Sequence, residues 1–198
     1  VEELKKLATK LFRADNMMIS YTASKAGLEG MEELVAGLNE NLYTEKIEGA
    51  SWIVHCEKKN EAFKTASKVQ YVARVGNFID QGVDYTGALQ ILKVILSYEY
   101  LWQKVRVKGG AYGCMSNFNR IGDGYFISYR DPNLKRTMEV YEGVVEYLKS
   151  FTVNERDMTK YIIGTMSNID QPMTPAAKGD RSMNLYMNKV TAEMIREE

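Results

Sequence analysis

Arg106 and Tyr112 stand six residues apart, with Lys104, Lys108 and the pair Gly109–Gly110 around and between them. A guanidinium and a phenol both donate hydrogen bonds, so side by side they suit a peptide carbonyl or the oxyanion it becomes under attack. Glycines at a helix end supply the positive φ and close backbone approach that other residues resist. Each residue also has a plain structural use. An arginine near a helix C-terminus complements the dipole, and a tyrosine in a strand is ordinary packing.

Several other chemistries are excluded by order or by count. A phosphate loop places its lysine after the glycines at a helix start, whereas Lys108 precedes Gly109 at a helix end, whose dipole repels phosphate. Gly122-Asp123-Gly124 lacks the third glycine and the following helix of a dinucleotide fingerprint. The chain has one histidine, His55, and a zinc-peptidase motif needs two on one helix face. His55 and Cys56 are adjacent, not at a ligand spacing, so no metal site is expected in this chain. His55 reads instead as a partly buried side chain near Trp52. A serine–histidine–acid set has no credible base other than His55.

The elements that must position Arg106 and Tyr112 follow from periodicity. Leu4, Leu7, Ala8 and Leu11 predict a helix over residues 2–13. Residues 16–21 alternate weakly and predict a strand, and Leu28, Met31, Val35, Leu38 and Leu42 predict a helix over 28–43. A short strand is expected around Trp52 to Val54. Val69, Tyr71, Ala73 and Val75 alternate with polar or small residues and predict a half-buried strand. The longest helix, from Tyr85 to about Arg106, is apolar on most sides, with Leu89, Leu92, Ile95, Tyr98 and Trp102 flanked by Ile91, Val94 and Leu101, and belongs deep in the core. Residues 111–120 and 125–130 predict two strands joined through Gly122-Asp123-Gly124. Asp131-Pro132 predicts a helix opening, whose helix buries Met138, Tyr141, Val145 and Leu148. Asn154 predicts a cap for the next, with Met158, Tyr161, Ile162, Thr165 and Ile169 on its face. After Gln-Pro-Met-Thr-Pro, Met183, Tyr186, Met187, Val190 and Met194 predict a last helix. The methionines on these faces read as core filler. The order implies an α+β fold, an antiparallel sheet with helices packed mainly on one face. Residues 1–13 read as the tail helix of a preceding region and 14–198 as a single domain.

Composition sets the outer limits. The 198 residues are 45% hydrophobic and 26% charged, ordinary for a globular domain. Basic and acidic residues number 26 each, which argues against nucleic acid as a partner. No apolar run reaches the roughly 18 residues of a membrane span, so no membrane association is expected. Cys56 and Cys114 make no disulfide framework and fit a reducing compartment. The expectation is a soluble intracellular protein of the cytoplasm, with an organelle left open as the alternative. Both ends fall inside helical patterns, as in a piece of a longer polypeptide.

The run Leu101-Trp102-Gln103-Lys104-Val105-Arg106-Val107-Lys108-Gly109-Gly110-Ala111-Tyr112-Gly113 resembles the C-terminal half of presequence proteases, a branch of the pitrilysin/insulinase zinc metallopeptidases. Three stretches match in the same order: Ser128-Tyr129-Arg130-Asp131-Pro132-Asn133-Leu134, Ile162-Ile163-Gly164-Thr165, and Ile169-Asp170 through Ala177-Lys178-Gly179. The resemblance implies a pitrilysin-type domain forming half of a closed chamber for unfolded peptides. It further implies that an N-terminal half, in the same chain or a separate subunit, binds the zinc and activates water. By that resemblance Tyr112 is catalytic, donating to the scissile carbonyl as it becomes an oxyanion. Arg106 anchors the peptide backbone, and Gly110 lets the chain approach it closely. This chain, without the zinc motif, is expected to hydrolyse nothing alone. Two rival readings stand beside it: a non-catalytic scaffold subunit of the same superfamily, and a free-standing peptide-binding module.

Overall fold

The computed structural model describes residues 1–45 and 57–198; the strand expected around Trp52 to Val54, with His55 and Cys56, lies outside the described residues. The chain divides into two compact units, one of residues 1–62 and 173–190, the other of 63–172 and 191–198.

In the first unit, α1 spans Glu2–Leu11, α2 Met31–Glu40 and α7 Pro175–Met187. Thr174 caps α7 by accepting from the Ala177 amide at 3.2 Å, with Pro175 in the first turn. Arg13 is buried after α1. Its guanidinium holds both Asp15 carboxylate oxygens, at 2.8 and 2.7 Å, and donates to the Glu45 carbonyl. The strand expected at residues 16–21 is absent: Met18, Ile19 and Tyr21 are exposed in extended chain, and the segment joins no ladder among the described residues. Weak alternation without a partner strand leaves backbone groups to water. The expected last helix divides in two, α7 in this unit and α8 (Ala192–Glu197) in the second, and Met183, Met187 and Met194 lie exposed rather than in a core.

The second unit carries the sheet and the core. β1 (Gln70–Asn77), β2 (Gly113–Phe118) and β3 (Asp123–Asp131) form an antiparallel sheet in the order β1–β3–β2. The hairpin turn closes at residues 119–122, where Gly122 takes φ 92 and a side chain would overlap Asn77. β1 forms where expected but not with the expected face: Val69, Tyr71, Ala73 and Val75 are exposed, and Val72 alone in the strand is buried. One face of the sheet is covered and the other is open.

The cover comes from α3 (Ala88–Ile95) and its direct continuation, Leu96–Val107, which winds as a π-helix. The expected single α-helix does occupy this stretch, with a different pitch and a different buried face. At 3.6 residues per turn Leu96 and Val105 would lie about half a turn apart. The i→i+5 winding, with about 4.4 residues per turn, brings Leu96, Tyr100, Leu101 and Val105 onto one stripe. All four are at most 1% exposed, while Tyr98, expected inside, is exposed. Ser97 and Ser116 hydroxyls, 3.0 Å apart, tie this helix to β2.

α4 (Lys135–Glu142) and α5 (Val144–Ser150) complete the core beside it, with Tyr141 and Val144 buried and Val145, expected inside, exposed. The Tyr100 hydroxyl donates to Val140 and the Tyr141 hydroxyl to Val72. Asp131-Pro132 does not open α4, which begins at Lys135. Asp131 ends β3 with its carboxylate buried, so it cannot cap an exposed first turn. Asn154 does cap α6 (Glu155–Ile169), accepting from the Asp157 amide at 2.9 Å.

Candidate functional site

The π-helix ends where the sheet begins, and that junction holds Arg106 and Tyr112. Gly110 makes it possible: φ is 81, its amide donates to the Arg106 carbonyl at 2.8 Å, and the Ala111 amide donates to Val105 at 3.2 Å. Gly109 sits so close to the Val105 carbonyl that a Cβ would overlap it. The chain thus reverses within four residues and enters β2. Arg106 Nε then donates to the Tyr112 carbonyl at 2.9 Å. The two residues expected to act together are in direct contact, and Gly110 is the hinge between them.

The guanidinium of Arg106 lies over Trp102, 3.9 Å from the ring centre. The committed Nε and the contact with the ring both restrict the side chain. The Tyr112 side chain is 61% exposed and rests against Tyr129, ring centres 5.5 Å apart. Gly113 makes room for Tyr129, since a Cβ there would overlap its ring. The only described cysteine, Cys114, is no rival nucleophile. Burial pushes its thiol up to about 11, against a smaller opposite pull from Arg106.

Sequence reasoning quoted Arg130, Asp131 and Asn133 within a matching stretch and gave them no role. In the structure they complete the site. The Tyr112 amide donates to the Arg130 carbonyl, and the Arg130 guanidinium stands 5.4 Å from the Tyr112 ring centre. The Asp131 carboxylate, wholly buried, accepts from Ser128 Oγ at 2.6 Å, Thr137 Oγ1 at 2.8 Å and the Asn133 amide at 2.8 Å. Asn133 Nδ2 reaches the Gly109 carbonyl at 2.5 Å, so this end of β3 holds the glycine turn from outside. Nothing in the sequence marked these roles, since the burial of Asp131 appears only in the fold.

Among known families, the PreP C-terminal domain matches residues 60–198, which include the sheet, the glycine turn and every site residue. The chain belongs to the PreP C-terminal domain family. Protein HypA of Clostridium perfringens is 43% identical over 100% of this chain, which covers 20% of that relative. Presequence protease 1, chloroplastic/mitochondrial, of Arabidopsis thaliana is 32% identical over 96% of the chain and 18% of its own length. The mitochondrial presequence protease of Xenopus tropicalis is 28% identical over 76%. The PreP C-terminal domain described here therefore spans about a fifth of the length of these curated relatives. Its α+β fold, with an antiparallel sheet under helices, agrees with that membership. No helix among the described residues is long and apolar enough to cross a membrane.

Proposed function

We propose that this chain is the substrate-binding C-terminal part of a metalloendopeptidase that cleaves unfolded peptides in an enclosed chamber. The observation that carries the reading is the 2.9 Å hydrogen bond from Arg106 Nε to the Tyr112 carbonyl, which ties a guanidinium held over Trp102 to the backbone of a residue whose phenol is exposed. Tyr112 Oη donates to the scissile carbonyl oxygen as negative charge develops there. A donor fixed in advance costs no reorganisation at that moment. Arg106 donates from its outer nitrogens to the peptide backbone and keeps the bond aligned. Gly110 keeps the turn low, so that an extended peptide passes close to β2.

The described residues do not fit a zinc centre, since no three His, Cys, Asp or Glu side chains come together among them. The metal and the base belong, in this reading, to an N-terminal part of the parent protein, in the same polypeptide or a partner subunit. The test is Tyr112→Phe in the complete protein, with a fluorogenic peptide as substrate. Turnover is expected to fall by about 10²-fold while KM changes little. A loss smaller than about threefold would sink the oxyanion role.

A further inference from the structure

β3 departs from regular pairing in one place. Between Ser128 and Asp131 it takes three steps while β1, opposite, takes two from Val72 to Gln70. The extra residue is a bulge, and Arg130 takes the left-handed φ of 47 within it. In an unbroken strand Arg130 would share the inward face with buried Ser128. The bulge exchanges the two neighbours: Asp131 turns into the core, and Arg130 turns out over Tyr112.

That outward guanidinium has no counter-charge among the described residues. Its neighbour Asp131 is occupied by two hydroxyls and an amide. Among the described residues no carboxylate pairs with Arg130 or with Arg106. Arg130 thus stands over the Tyr112 phenol while Arg106 holds the Tyr112 carbonyl, at an exposed junction with no paired acid among the described residues. A planar fork of donors in that setting matches a carboxylate. An arginine serving only to pack against Tyr112 would need neither the bulge nor the left-handed backbone.

The geometry points to Arg130 as a specificity-determining residue that receives a carboxylate of the peptide, one or two residues from the bond presented to Tyr112. This rests on Tyr112 facing the scissile bond. One extended residue spans about 3.5 Å, so a group on the next residue or the one after lies within reach of Arg130. The carboxylate has two possible sources, an acidic side chain or the peptide's own C-terminus.

The complete protein is assayed on equal-length peptides: a glutamate peptide against its glutamine counterpart, and a short neutral peptide with a free against an amidated C-terminus. The native protein is expected to prefer the carboxylate member of one pair by about three- to tenfold in kcat/KM. Arg130→Gln and Arg130→Gly should bring that ratio near one, and Arg130→Lys should retain part of it. Glycine adopts a left-handed φ freely, so the second variant keeps the bulge folded. Loss in the first pair assigns a side chain, and loss in the second assigns the terminus. Tyr112→Phe serves as the separate control, since it should slow every peptide alike and leave the ratios intact. If Tyr112→Phe were harmless while Arg130→Gln erased the preference, the oxyanion reading would fail and the carboxylate site would stand. A native ratio of one in both pairs, or ratios unchanged in both arginine variants, overturns the proposal.

Discussion

Asp131 is a carboxyl group in the protein interior, held by three donors. Such a group is expensive to strip of partners and expensive to remove, because two buried hydroxyls lose their acceptor at once. Asp131→Ala is expected to cost about 2–4 kcal/mol, read from urea unfolding monitored by far-ultraviolet circular dichroism. A loss under about 1 kcal/mol would mean the hydroxyls find water instead. The left-handed backbone of Arg130 costs on the order of 1–2 kcal/mol for a residue with a side chain. The rigid anchor at Asp131 is what keeps it populated. Arg106 and Tyr112 were legible because they lie six residues apart and meet across one turn, so spacing alone brings them together. Arg130 and Asp131 were not, because a bulge is a mismatch between two strands and leaves no mark in either sequence alone.

At the scale of elements, legibility followed how local each signal was. The Asn154 cap, the hairpin and the α+β order depend on a few adjacent residues and stand as expected. The weak strand at 16–21 depended on a partner that is not there, and Asp131-Pro132 on a solvent-exposed start that burial replaced. The 85–106 helix was found, but its buried face was assigned at α pitch and lies elsewhere at π pitch. The covered sheet face also sets a pH limit. Burial of Cys114 on β2 lifts its thiol to about 11, so the folded form keeps a proton that the unfolded chain releases near 8.5. The stabilisation is whole below about pH 8.5 and is lost as pH rises towards 11. Melting temperature should therefore decline across that interval, and the decline should soften in Cys114→Ala. An identical decline in both proteins would assign the effect to other groups.

For the whole molecule, the two units differ in kind. The second encloses a core around Leu96, Tyr100, Leu101 and Tyr141, whereas α1 and α2 in the first bury no residue. Leu4, Leu7 and Leu11 keep the helical stripe that the sequence announced, yet all are at least half exposed. The proposed chemistry is likewise shared out, with carbonyl and backbone donors here and the metal elsewhere. The segment of residues 1–198 alone is expected to leave a fluorogenic peptide intact. The complete protein should lose turnover on treatment with a zinc chelator and regain it when zinc returns. Turnover by the segment alone would overturn that division of labour.

The wide helix has one more consequence. Each i→i+5 turn holds one residue more than an α turn closing over the same height. Leu96–Val107 therefore carries slack in chain length. Loss of a residue from its exposed side can be absorbed by one turn tightening to α pitch, leaving Gly110 and the strand entrance in place. A gained residue finds no such reserve. Among related chains, length variation ahead of the arginine should run towards shortening.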